Sequence, residues 1–211
     1  LPSEFIPAAE RNNMMKNIDR WMLAAAIGFC QKSDADRVFV RLSRQSIMDS
    51  TTAAWMQQKL DEDGFDCSRL VVQIPERDCA KHIKQTRGLV KRLRKLGIGF
   101  AIEHYGVDTE RFQILDMLKP DYIKIDGELM HTLMTDKTMQ ASVSAIVKAA
   151  GERHIKTVAE RVENANAMAV LFQLGIDFMQ GHYVHEPEVV LEDSDSGVTN
   201  TLDELTAAQA N

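Results

Sequence analysis

Polar side chains recur at the ends of short Val- and Ile-rich runs in this sequence: Arg41 and Ser43, Gln73 and Glu76, Glu103 and His104, Lys124 and Asp126, Glu160 and Glu163, then Gln180. Taken singly, each is what any strand needs where it reaches water. As a set they supply cations, acids and amides. Strands that delivered them to one rim would build a pocket suited to a phosphate-containing ligand or a metal ion.

The elements that must do the positioning follow from periodicity. Val38, Val40 and Leu42 alternate as a strand does. A strand-then-helix cycle then repeats: Leu70 to Ile74 before a helical run from Asp78 to Leu96, Gly99 to Ile102 before Thr109 to Leu118, and Tyr122 to Ile125 before a further helical stretch. Two more strands follow at Ile155 to Ala159 and Ile176 to Met179. Ahead of them all, Ala8, Met15, Ile18, Met22, Ala25 and Ala26 predict one long amphipathic helix from Pro7 to Gly28. Strands alternating with helices predict an α/β fold with a parallel sheet or barrel. Six strands fall short of the eight that close a (β/α)8 barrel, so the sheet is expected to be open or to lack a piece of the domain.

Composition excludes several other classes. The 211 residues, 45% apolar and 27% charged, suffice for one sizeable core, and a net charge of -6 opposes bulk attraction to nucleic acid or anionic lipid. The longest apolar stretch, Trp21 to Cys30, is about half of what a membrane span needs, and the start has no signal-peptide pattern, so a cytoplasmic location is expected. Cys30, Cys67 and Cys79 form no CxxC pair and predict neither disulfides nor a zinc knuckle. The basic run from Lys81 to Lys95 carries Ile83, Val90 and Leu93 at buried-face spacing, which marks a solvated helix rather than a nucleic-acid site. His182 and His185 read as surface histidines, while Met130, Met134 and Met139 around His131 offer an adaptable surface. Residues 192–211 are acidic, small and polar and read as a tail beyond a domain of residues 1–191.

Four spaced motifs carry a resemblance: the run from Pro2 to Glu10, the pair Lys124 and Asp126 around Ile125, the run from Val158 to Glu163, and the run from Gln180 to Pro187. Over roughly Pro2 to Pro187 the chain resembles the EAL-type cyclic di-GMP phosphodiesterases. The resemblance implies a modified TIM (β/α)8 barrel of EAL type, with the first strands, including the E-A-L strand, lying before Leu1. It implies a ligand at the strand ends and, in the family, hydrolysis of cyclic di-GMP to a linear dinucleotide with two Mg²⁺ or Mn²⁺ ions. Arg41 stands where the family has a metal-ligating asparagine, Gln73 where it has a glutamate, and Glu103 and His104 where it has a pair of aspartates.

A fixed positive charge at a metal position is costly for cation binding. The expectation is therefore a degenerate phosphodiesterase that is not an enzyme, needs no metal or other cofactor, and acts as a receptor in bacterial signal transduction. Its cyclic di-GMP ligand would be held by Arg41, Ser43, Lys124, Glu160, Glu163, Gln180, Tyr183 and Pro187, with Tyr183 stacking on a guanine. Within the family it is most similar to the FimX-type regulators of type IV pili. That similarity implies a PilZ-type adaptor as partner and a GGDEF-type domain upstream, with dimerisation a further option. The alternatives are a working metal-dependent phosphodiesterase and a nucleotide-free protein-interaction module.

Overall fold

The computed structural model describes residues 2–63, 66–106, 111–131, 133 and 135–186. Six strands form one sheet in sequence order: β1 (Val38–Arg41), β2 (Leu70–Pro75), β3 (Gly99–Tyr105), β4 (Tyr122–Ile125), β5 (Lys156–Ala159) and β6 (Phe178–Met179). Every neighbouring pair is parallel. Parallel neighbours require crossovers, and helices provide them. Helices α1 (Pro2–Arg11) and α2 (Met15–Lys32) precede β1, and α3 (Arg44–Met48) and α4 (Thr52–Asp63) join β1 to β2. Helices α5 (Glu76–Lys81) and α6 (Ile83–Lys95) lead to β3, and α7 (Arg111–Leu118) to β4. Helices α8 (Glu128–His131) and α9 (Lys137–Gly151) lead to β5, and α10 (Ala165–Gln173) to β6.

The sheet curls into a half-barrel whose two faces differ. Val40, Leu42, Leu70, Val72, Ile74, Phe100, Ile102, Ile123 and Ile125 alternate onto the outer face and are buried with Leu23, Ile27, Leu93, Leu115, Val143 and Ile146 of the helices. The opposite set, one residue out of phase, lines the inner face. There the rings of Phe39 and Tyr122 meet edge to face at 5.2 Å, and Tyr122 and Phe178 lie 6.3 Å apart. Two residues further along the same strands come Arg41, Lys124 and Gln180, so the inner face runs from an aromatic layer to a charged rim.

Three expectations about elements need correction. The single helix from Pro7 to Gly28 is two helices: Asn13 adopts φ 57° and Met14 N–H bonds back to Ala9 O at 2.9 Å, so α1 ends and α2 restarts, running past Gly28 to Lys32. The helix from Asp78 to Leu96 begins at Glu76 and breaks at His82, whose φ of -124° and ψ of 40° are not helical. Met130 does not offer a surface, since it is 6% exposed inside the core, and Met139 packs partly buried against the same core. Met134, Pro187 and the 192–211 tail lie outside the described residues. Cys30 and Cys79 are free and buried, Cys67 is half-buried, and among the described residues no helix is long and apolar enough to cross a membrane.

Candidate functional site

The C-terminal strand ends bring most of the expected residues together. Arg41 closes β1 and Glu103 lies near the end of β3; Arg41 Nε is 2.8 Å from Glu103 Oε1. The two partners are unequal, with the Glu103 side chain 4% exposed and the Arg41 side chain 57%. Burial raises the Glu103 carboxyl above the ordinary range, against the pull of the Arg41, His104 and Lys124 charges. Lys124 comes from β4 and is almost fully buried. Its Nζ reaches Glu160 Oε1 at 2.9 Å and Gln73 Oε1 at 3.3 Å, and lies 5.8 Å above the centre of the Phe39 ring. Period-two alternation places Phe39 on the same face as Arg41, and that was the signal by which its role beneath Lys124 could have been read.

His104 reaches the site through an irregularity. The pairing of β3 with β4 slips between Ile102 and Tyr105, and His104 takes φ 51°. Its Nδ1 then stands 3.1 Å from Asp126 Oδ2 and 3.8 Å from Glu160 Oε2. Asp126 uses its other oxygen to accept from Glu128 N–H at 2.7 Å, which starts α8. A chain of side chains therefore runs Gln73, Lys124, Glu160, His104, Asp126 across β2, β3 and the ends of β4 and β5.

Other residues play supporting parts. The Ser43 hydroxyl, expected at the ligand, donates to Asp19 Oδ2 at 2.6 Å. That same oxygen accepts from Ser43 N–H at 2.8 Å and Ser46 Oγ at 2.6 Å. Asp19 is buried on α2 and its carboxyl is raised by that burial; it fixes the turn just after Arg41 and was not foreseen. Glu76 is buried as well, with Oε2 accepting from Gly106 N–H at 3.1 Å, so it secures the loop after β3. Gly106 has φ 110°, and a Cβ there would sit 2.8 Å from Ile146 Cδ1.

Glu163, Gln180 and Tyr183 lie exposed at the same end. Gln180 N–H bonds Ala159 O at 2.9 Å, and Val162 and Tyr183 pair with this segment in turn. Gly181 permits that approach, since a Cβ on it would meet Val162 N and O at 2.3 Å.

Arg41 and Lys124 are each seated on a carboxylate, and no group of three His, Cys, Asp or Glu side chains among the described residues could hold a metal ion. In this arrangement Glu103 and Glu160 are each paired with a cation, and His104 stands against Asp126 beside them. What it offers is a pair of cations, one buried and one open, beside amide and aromatic side chains.

The chain matches the EAL domain model over residues 1–187, and it belongs to that family. It is similar to the FimX EAL domain of Pseudomonas aeruginosa, solved with c-di-GMP bound: 29% identity, a TM-score of 0.85, and coverage of 89% of this chain and 76% of that one. It is 25% identical over 195 residues to the cyclic di-GMP phosphodiesterase PdeF of Escherichia coli, covering 90% of this chain and 26% of that protein. It is 28% identical over 193 residues to the cyclic di-GMP phosphodiesterase PdeB of Shewanella oneidensis, covering 89% and 22%. The chain thus spans about a quarter of the length of these relatives. Their names overturn the expectation that the chain is not an enzyme: they point to an enzyme family, and degeneracy is not shown. The physical reason is that Glu103, Asp126, Glu160 and Glu163 all remain at the strand ends, so the loss of carboxylates behind that expectation is only partial.

Proposed function

We propose that the rim binds cyclic di-GMP and that binding does not depend on a divalent cation. The observation that carries this reading is the pair of cations on one rim, at the ends of β1 and β4 with β2 and β3 between them: Lys124, buried between Glu160 and Phe39, and Arg41, open to solvent. A cyclic dinucleotide carries two phosphodiester charges, and guanidinium and ammonium donors meet such charges with strong, short hydrogen bonds. Glu163 and Gln180 line the approach, and Tyr183, half exposed, supplies an aromatic face for a guanine; the family resemblance adds Pro187 to the ligand set. Stacking of a base on an aromatic side chain contributes about 1–3 kcal/mol. Calorimetric titration with cyclic di-GMP, with and without EDTA, should give similar affinities. No binding in either condition, or binding only when metal is supplied, overturns the reading.

The names of the relatives favour a second reading, hydrolysis of the same ligand. Incubation with Mn²⁺ and chromatography of the nucleotides tests it: linear dinucleotide formed in proportion to protein supports hydrolysis, and its absence removes it. By the same family resemblance, the proposed setting is cytoplasmic signalling to a PilZ-type adaptor in type IV pilus regulation, with a GGDEF-type domain upstream in the longer protein.

A further inference from the structure

The geometry points to α6 as the docking surface for this chain's own acidic tail, residues 192–211. The helix IKQTRGLVKRLRK carries six basic residues and no acid, in a protein whose net charge is -6. Thr86, Leu89, Val90 and Leu93 face the core. Lys84, Arg87, Lys91 and Lys95, spaced three and four apart, form one exposed stripe on the opposite side.

Ordinary helix electrostatics accounts for part of this set only. Cations in the last turn are favoured by the helix dipole, which covers Arg92, Arg94 and Lys95. Arg92 and Arg94 also donate to Ser50 O and Leu118 O. Lys84 stands in the first turn, against the dipole, and each member of the stripe repels its neighbour three or four residues away. Among the described residues, none of Lys84, Arg87, Lys91 and Lys95 makes an ion pair. Gly88 lies on the same stripe, and a side chain there would point into open space, so an approaching segment meets bare backbone among the charges.

The matching anion is in the same chain. Glu192, Asp193, Asp195, Asp203 and Glu204 give residues 192–211 five acids and no base. α5 connects the end of β2 to Ile83, so α6 starts at the end of the half-barrel where the strands finish. Glu186, the last described residue, leaves from that end after β6. Extended backbone from Glu186 to Asp203 reaches up to about 55 Å.

Zero-length carbodiimide coupling of the full chain, followed by proteolysis and mass spectrometry, tests the assignment. Amide links should join Lys84, Lys91 or Lys95 to the tail acids in the monomeric species, and should fall several-fold in roughly 0.5 M salt, where screening shortens the reach of these charges. Arg87→Glu and Gly88→Gln keep all three lysines and should each lower the yield several-fold. Tail acids coupled evenly to lysines elsewhere, such as Lys16 or Lys148, overturn the proposal. So do links confined to dimers, which would give the surface to a second copy, and a retained duplex oligonucleotide without tail links, which would give it to nucleic acid.

Discussion

Lys124 has two roles that a single substitution would confuse. Removing it strips a cation from the rim and also leaves Glu160, 16% exposed, facing the protein interior without its partner. Breaking a buried pair from one side typically costs about 3–5 kcal/mol. Lys124→Ala should therefore lower both the urea midpoint and ligand affinity. The double change Lys124→Met with Glu160→Gln should recover most of the stability while leaving binding lost; recovery of binding would show that the ammonium does not contact the ligand. Glu103 allows a test with the opposite sign. Its folded-state carboxyl is raised above the ordinary 4.5, so folding disfavours its charged form. The resulting cost is absent at low pH and grows as pH rises through the raised value. Glu103→Gln should thus raise the unfolding midpoint near about pH 7, with the gain vanishing by about pH 4, because the exposed Arg41 returns to water at little cost. A midpoint that falls at neutral pH would mean that the Arg41 pair outweighs burial.

At the scale of elements, Asp19 ties α2 to the turn after β1 through three donors on one oxygen. Asp19→Ala would leave the Ser43 and Ser46 hydroxyls without their acceptor and should cost about 2–4 kcal/mol by chemical unfolding, while loosening the backbone that carries Arg41. A loss under about 0.5 kcal/mol would mean that these serines find other partners.

Five of the six strands were legible to within a residue or two because their apolar alternation is strong, whereas β3 runs three residues beyond Ile102, through the polar Glu103 and His104. The helix breaks were not legible, since Asn13 and His82 interrupt runs whose apolar spacing continues on either side. In the site, Arg41, Lys124 and Glu160 could be read from their positions at strand ends. The commitment of Ser43 to Asp19 could not, because it joins residues 24 apart across two packed elements. Nor could the position of His104, which depends on a bulge that period-two counting does not reveal.

For the whole molecule, a ligand that selects the folded state must stabilise it. At about a hundred times the dissociation constant this amounts to about 2.7 kcal/mol. For a chain of 211 residues, that corresponds to a rise of about 5–10 °C in Tm. Saturating cyclic di-GMP should produce such a rise with EDTA present, read by scanning calorimetry. An unchanged Tm would favour the nucleotide-free interaction module over the binding reading.

The strict sequence order of the sheet also bears on how the chain is made. Each strand pairs with the one before it, and the paired residues lie 20 to 34 positions apart. No strand has to wait for a later one to be inserted between itself and its neighbour. As the polypeptide leaves the ribosome, β2 can settle on β1, then β3 on β2, each closing a short loop whose entropy cost rises only slowly with length. These six strands can therefore be added one after another at the pace of synthesis, and at every stage the newest strand leaves its far edge unpaired until the next one arrives.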